Sequence, residues 1–417
     1  MNKVYIRTYA YNAEKTLARA IESILNQTYS DFIYYLCDNG STDGTRAIIQ
    51  SYAERDSRIK PFYQNKNRNY SEAPECLLMP YNIKSDDYYC ILDADDEYLP
   101  TFIEEMLAFM NENNLDIGVC GSNFLSTAEN TQLIGRRIVN QNLLLEGTLF
   151  EEYFRYYHVF MRTTWGKLYK GFTLKNTVQD PSKPDSKCPV GYGGDTYNAM
   201  QSFNSAERVG LYAKPLHVYY VSLKSSSYIW NSLRVKADQL LHEAALEYLK
   251  PYGKISKENE EFLSHVYLNA LKDTCDVLFH SVASAHIKID ALYEIFSCDY
   301  TKQLMIFETS GDFFKQREAF FSEILRWILS LEEVDDDQIE KYCMIGELLT
   351  AFLHFQEGWI SFNKIKINYL LDRNDITEAE HQLGEMRTLL PKDEDILNLT
   401  ARLDNLKIRA QSSTVTI

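Results

Sequence analysis

The residues with most chemistry to offer fall in two short acidic clusters. Asp38-Asn39-Gly40-Ser41-Thr42-Asp43-Gly44-Thr45 follows the apolar run Phe32 to Cys37, and Asp93-Ala94-Asp95-Asp96 follows another, Tyr88 to Leu92. A carboxylate at the head of the first cluster can accept a hydrogen bond from a nucleobase N–H, and Gly40 and Gly44 permit tight turns beside it. The second cluster packs three acids into four residues, which repel one another unless a cation compensates. Carboxylate-only sites suit Mg²⁺ or Mn²⁺, which keep several waters and take further ligands from a phosphate. Each cluster has a plainer reading. The first could be a polar loop with Ser, Thr and Asp caps, the second an acidic helix start that complements the helix dipole. Together, on neighbouring strand ends, they point to a nucleotide–metal site.

The elements that must position them are legible in the same stretch. Residues 3–8 and 32–38 predict buried parallel strands, because continuous apolar runs bounded by turn residues suit that setting. Between them, apolar residues at 17, 20, 21, 24 and 25 have helical spacing. A helix after Gly44, a strand at 88–92, a helix over about 101–113 and a strand from Asp116 to Gly121 continue an α/β pattern. In open α/β sheets ligands bind beyond the carboxyl ends of the strands, where both clusters lie. Residues 125–230 are less regular and contain a polar loop, Asn176 to Gly194, then a helix and a strand near Leu216 to Val221. From 231 the pattern becomes helical, ending in the segments Ile360–Leu371, Thr377–Leu390 and Glu394–Arg409. The expected organisation is an α/β domain over 1–230, an all-α accessory domain over 231–410 and a flexible tail over 411–417.

Composition narrows the field. The 417 residues carry 43 Lys and Arg against 59 Asp and Glu, a formal charge of −16, which argues against nucleic-acid or anionic-membrane binding. Residues 1–230 hold 23 basic and 27 acidic side chains, a net of −4, so the excess acidity belongs to the helical half. No window offers the ~20 apolar residues of a transmembrane helix. The chain enters its first strand without a signal-peptide pattern, and its eight cysteines form no CxxC pair, so a reduced, cytoplasmic protein is expected.

The motifs combine into a known pattern. Thr8-Tyr9-Ala10-Tyr11-Asn12-Ala13-Glu14, the run Ala20 to Tyr29, the 38–45 loop, Asp93-Ala94-Asp95-Asp96, Trp165-Gly166-Lys167-Leu168-Tyr169 and Gly193-Gly194-Asp195 together resemble family 2 glycosyltransferases. That family has the GT-A fold, Rossmann-like with a mostly parallel sheet. The resemblance covers roughly 1–230 and is similar to the GT-A halves of streptococcal enzymes that glycosylate serine-rich-repeat adhesins. It implies that Thr8, Tyr9, Ala10 and Glu14 line a uridine pocket and that Asp38 holds the uracil. Asp93, with Ala94 beside it, would contact the ribose side, and Asp95 would ligate Mn²⁺ or Mg²⁺ bridging the diphosphate. Trp165, Lys167 and Gly194 would border donor sugar and acceptor, and Asp195 would be the general base of an inverting transfer. Without the resemblance, Asp195 reads equally as an N-cap for the helix from Thr196 to Phe203.

The implied activity is transfer of a hexose or N-acetylhexosamine, GlcNAc first, from a UDP-sugar to a glycan or glycosylated protein. A cell-wall or capsule polysaccharide transferase and a degenerate, non-catalytic scaffold are the alternatives. Departures from the pattern bear on the second. Where many relatives carry Arg and His after the last strand, this chain reads Tyr219-Tyr220-Val221-Ser222-Leu223-Lys224, leaving Lys224 as a substitute cation and His217 out of register, a structural residue. Relatives' Arg-Asn near the helix after 70 is replaced by Pro74-Glu75, with Arg68 nearby. The helical half offers no catalytic constellation, and homo-oligomerisation is the expected use of it.

Overall fold

A computed structural model describes residues 2–67, 83–126, 131–174, 192–221, 229–309, 311–331 and 334–414. Arg68, Pro74, Glu75, Lys224 and most of the 176–194 loop lie outside the described residues. The contacts divide the chain into two compact units, Met1–Leu263 and Ser264–Ile417.

The first unit is built on a ten-stranded mixed sheet: β1 (Val4–Ala10), β2 (Phe32–Asp38), β3 (Ile59–Tyr63), β4 (Tyr88–Ile91), β5 (Glu97–Tyr98), β6 (Ile117–Ser126), β7 (Gln132–Arg137), β8 (Leu143–Glu146), β9 (Lys167–Lys170) and β10 (Arg208–Val221). Its order is β3-β2-β1-β4-β9-β6-β10-β5, with β7 beside β6 and β8 beside β10. The β3-β2-β1-β4 half is parallel, as is β6 with β10, while β9 runs antiparallel between β4 and β6. This is the α/β GT-A architecture expected from the motifs.

Alternation along β1 shows how the strands sort their residues. Val4, Ile6 and Ala10 enter a core with helix α1 (Leu17–Leu25), α2 (Thr45–Arg55) and α3 (Phe102–Glu112), whereas Tyr5 faces the opposite core. Leu17, Ala20, Ile21 and Ile24 of α1 are all buried there, and each Leu or Ile contributes roughly 1.5–3 kcal/mol by leaving water. The opposite core is covered by α4 (Leu149–Glu152), α5 (Phe154–Met161), α6 (Gly194–Asn204) and α7 (Leu233–Leu249). Tyr248 of α7 is fully buried and its hydroxyl lies 3.0 Å from that of Tyr157. The helix that follows 231 therefore belongs to the sheet's own core, which is why the compact unit runs on to Leu263.

The helices after it are α8 (Lys257–His280), α9 (Ala285–Ser297), α10 (Asp299–Ile306), α11 (Gly311–Leu329), α12 (Ile339–Phe352), α13 (Gln356–Asp372), α14 (Ile376–Leu389) and α15 (Glu394–Thr414). Ile367, Leu370 and Leu371 of α13 pack with Leu383 and Met386 of α14 and with Ile396 and Leu403 of α15, completing the expected terminal helix group. Helix α15 continues through Thr414, into the segment expected to be a tail. Among the described residues no helix is long and apolar enough to cross a membrane.

Candidate active site

Two loops leave the carboxyl ends of β1 and β2 and are fastened to each other. The amide of Asn12 donates to Ser41 Oγ (3.0 Å), that of Ala13 to Thr45 Oγ1 (2.7 Å), and that of Thr42 to Asn12 Oδ1 (2.9 Å). Glu14 takes part at both ends: its amide donates to Asp43 Oδ2 (3.1 Å) and its carboxylate accepts from the Gly44 amide (2.9 Å). Gly40 sits at φ +70°, and a Cβ there would stand 2.3 Å from the Lys66 backbone carbon, so only glycine fits this crossing. The result is a rigid rim around Asp38.

Asp38 is fully buried. Its Oδ1 accepts from the Ser41 amide at 2.9 Å, while its Oδ2 has no hydrogen-bond partner. A buried carboxylate oxygen left without a donor costs free energy on the order of 1–3 kcal/mol or more, which a ligand N–H would recover. Beside it, Tyr9 accepts at its hydroxyl from Gln64 Nε2 (3.2 Å). Ala10 is buried at the end of β1. Thr8 differs from expectation. Its side chain lies on the core face and its hydroxyl accepts from Tyr34 at 2.9 Å, so it supports the strand end from below and does not line a pocket.

The acidic cluster follows β4, which lies on the other side of β1 from the strand that carries Asp38. The Leu92 amide still donates to the Arg7 carbonyl (2.9 Å), so the chain leaves the sheet only at Asp93. Asp95 and Asp195 are exposed, Asp93 is half-buried and Asp96 is fully buried, and all lie close enough for their charges to act on Asp93. Burial, then the negative charges of Asp96, Asp195 and Asp95, push the Asp93 carboxyl well above the usual range, with Arg7 opposing. Burial also raises Asp95 and Asp195, opposed at Asp95 by Arg19 and at Asp195 by Arg7. Among the described residues no three of these carboxylates converge on one point, so Mg²⁺ or Mn²⁺ would be held by the exposed Asp95 only together with oxygens of a bound diphosphate and water.

Arg19, Tyr220 and Arg7, for which no role was expected, surround this cluster together with His217, expected as a structural residue. Arg19 of α1 donates from Nη2 to the Asp95 carbonyl (2.5 Å), pairs through Nε with Glu97 (2.9 Å) and lies 3.6 Å over the Tyr220 ring. Tyr220 donates its amide to Asp96 Oδ1 (3.0 Å) and its hydroxyl to Glu97 (2.6 Å). His217 Nε2 lies 3.3 Å from Asp96 Oδ2, both side chains fully buried, near enough to pair but misaligned for a hydrogen bond. Burial, then Lys167 and Arg137, lower the His217 pKa to about 3, so the ring is neutral. Arg7 is the most consequential of these groups: an arginine only 8 % exposed, in the middle of β1, acting electrostatically on both Asp93 and Asp195. Its one signal in the sequence is a charge inside the otherwise uncharged run Val4 to Ala10.

Asp195 is the second residue of α6, which starts at Gly194 after Gly193 at φ +77°. It therefore stands in the first turn, two positions past the N-cap Gly193. Trp165 is stacked on His217 (4.4 Å between ring centres) and on Tyr219 (5.4 Å), with 8 % of its surface left to solvent. Lys167 does not border a substrate site. It is 1 % exposed, and its ammonium donates to the carbonyls of Thr163 (2.5 Å) and Trp165 (3.1 Å), so it braces the Trp165 loop from inside. Tyr169 is likewise buried against Tyr89 and donates to the Thr164 carbonyl (3.0 Å).

The known proteins that this chain resembles are named as glycosyltransferases. Residues 6–173 match the model of "Glycosyl transferase family 2". The glycosyltransferase GlyA of Streptococcus pneumoniae is 25% identical over 236 residues, 55% of this chain and 32% of GlyA. An Escherichia coli protein, UDP-Glc:alpha-D-GlcNAc-diphosphoundecaprenol beta-1,3-glucosyltransferase WfaP, is 36% identical over 110 residues, 26% of this chain and 42% of WfaP. Among solved structures, Staphylococcus aureus TarS 1–349 in complex with UDP-GlcNAc aligns over 88% of this chain and 91% of TarS, with 14% identity and a TM-score of 0.45. The chain spans between 32% and 39% of the length of the first curated relatives it matches.

Proposed function

Because residues 6–173 form a glycosyl transferase family 2 domain, we propose that this chain transfers a hexose or N-acetylhexosamine from a UDP-sugar to a glycan or glycosylated protein, with inversion at the sugar. The observation that carries the reading is Asp38: a fully buried carboxylate at a parallel strand end, one oxygen held by the Ser41 amide and the other without a partner. A uracil N–H is the donor it lacks. That a relative, WfaP, is named for UDP-glucose supports UDP as the nucleotide. UDP-GlcNAc and UDP-glucose are the first donors to test.

Tyr9, Ala10 and Glu14 border the uridine side, Asp93 the ribose, and Asp95 would hold Mn²⁺ or Mg²⁺. Bound there, the ion supplies Lewis-acid neutralisation of the charge growing on the leaving diphosphate. The chain's own residues do the rest. The acceptor hydroxyl approaches C1 of the sugar from the face opposite the diphosphate, and Asp195 takes its proton as the new C1–O bond forms. The old C1–O bond breaks with its electron pair leaving on the diphosphate, through an oxocarbenium-like transition state. Arg7, buried near Asp195 and Asp93, opposes the upward push that burial gives the Asp195 carboxyl and so favours its ionised form. The helical unit is assigned to self-association.

Calorimetry with UDP in the presence of Mn²⁺ tests the pocket. Asp38→Asn replaces an acceptor oxygen by a donor and is expected to weaken UDP binding at least about tenfold, the equivalent of one lost hydrogen bond to a charged group. Unchanged UDP affinity in Asp38→Asn would remove the uracil assignment.

A further inference from the structure

The segment that carries Asp195 is held by a helix that lies beyond the matched family domain. Arg234, in the first turn of α7, is 1 % exposed, and its guanidinium lies 4.1 Å over the ring of Tyr192. Tyr192 stands three residues before Asp195. Between them, Gly193 takes a left-handed conformation, φ +77°, with Leu241 and Ala237 of α7 directly beneath. A Cβ at Gly193 would come within 2.9 Å of Leu241 Cδ1 and 3.7 Å of Ala237 Cβ. Helix α6 then begins at Gly194, with the Tyr197 amide donating to the Gly193 carbonyl at 3.0 Å. The direction in which Asp195 leaves the backbone is thus set by how the 192–194 turn rests on α7.

We propose that Arg234 is a positioning residue for Asp195: its stacking on Tyr192, with the Leu241 and Ala237 surface under Gly193, fixes the entry into α6 and so aims the carboxylate at the acceptor hydroxyl. The proposal rests on the assignment of Asp195 as general base. A guanidinium over an aromatic ring is attracted electrostatically by the ring face, more strongly when buried, and phenylalanine offers that face as well as tyrosine does. Misplacement of a base by about 1 Å costs on the order of 100-fold in rate, so a contact remote from the chemistry can be felt in kcat.

The test uses the full chain, UDP-GlcNAc and UDP-glucose as donors with water as acceptor, Mn²⁺, and UDP calorimetry as the readout of donor binding. Tyr192→Leu and Arg234→Met are expected to lower kcat at least about tenfold while UDP affinity stays unchanged. Tyr192→Phe is expected to keep wild-type kcat. In the Asp195→Asn background, Tyr192→Leu is expected to add nothing, because both changes act through one carboxylate. Tyr192 is only half-buried, so the Leu and Phe pair carries the test even where Arg234→Met fails to fold. The proposal is overturned by equal losses in Tyr192→Leu and Tyr192→Phe, by additive effects of Tyr192→Leu and Asp195→Asn, or by a loss of UDP affinity in place of kcat. Full turnover by Asp195→Asn alone would remove the base assignment and this proposal with it.

Discussion

At the scale of single residues, the site is a charge problem solved with few cations. Burial raises the carboxyls of Asp93, Asp95, Asp96 and Asp195, and Arg7 and Arg19 are the cations that oppose this. The sign for catalysis follows directly. A general base works when deprotonated, and Asp195 has its pKa raised by burial, so turnover should climb with pH through a limb above the usual carboxylate range. Arg7→Met removes the charge that opposes this, and the acid limb of the pH–rate profile should move to still higher pH. An unmoved limb in Arg7→Met would separate Arg7 from Asp195. Arg7 was hard to see in the sequence because its importance depends on which face of β1 it occupies and on what α6 brings to that face. Lys167 was misread for the matching reason: a lysine beside a tryptophan suggests a sugar contact, but its ammonium is occupied by two carbonyls inside the fold.

At the scale of elements, the rim around Asp38 depends on a turn that tolerates no side chain. Gly40→Ala would put a methyl group against the Lys66 backbone in a left-handed conformation, and should cost on the order of 2–4 kcal/mol in denaturant unfolding together with UDP affinity. Helix α5 carries a second prediction. His158 is buried between Phe154 (5.1 Å) and Phe262 (5.4 Å), and burial lowers its pKa to about 3. A histidine depressed on folding contributes stability that is present above its unfolded pKa and lost as pH falls towards the folded one. Between pH 7 and 5 that contribution should shrink by about 2 kcal/mol, and His158→Leu should flatten this part of the stability profile. Equal acid sensitivity in wild type and His158→Leu would contradict it. The strands, the loops that follow them and α1 were legible because their pattern is local: an apolar run, a turn, then a 3.6-residue period.

At the scale of the whole molecule, a helical period does not say what a helix packs against. Helix α7 reads like the helices after it, yet Ala244, Ala245, Tyr248 and Leu249 complete the core under α5 and α6. A chain ending at 230 loses these together with Leu263, each large apolar side chain contributing roughly 1.5–3 kcal/mol. Such a chain should be insoluble or unfolded by circular dichroism, whereas one ending at Leu263 should fold and bind UDP. The same truncation, compared with the full chain by light scattering, reads out self-association: a chain ending at Leu263 that keeps the full chain's oligomeric state would end that assignment. The charge fits the division of labour. Residues 1–230 are nearly balanced at −4, in keeping with the proposed diphosphate donor, and the rest of the −16 lies in the helical part.

The central claim is that Asp195 takes the acceptor's proton in a sugar transfer from a UDP donor. Mn²⁺-dependent turnover of UDP-GlcNAc and UDP-glucose, measured for wild type and Asp195→Asn alongside UDP affinity, tests it most directly. The account predicts turnover of at least one donor by wild type, a roughly 10²–10⁴-fold fall in Asp195→Asn and equal UDP affinity in both. Equal turnover in the two proteins would contradict it.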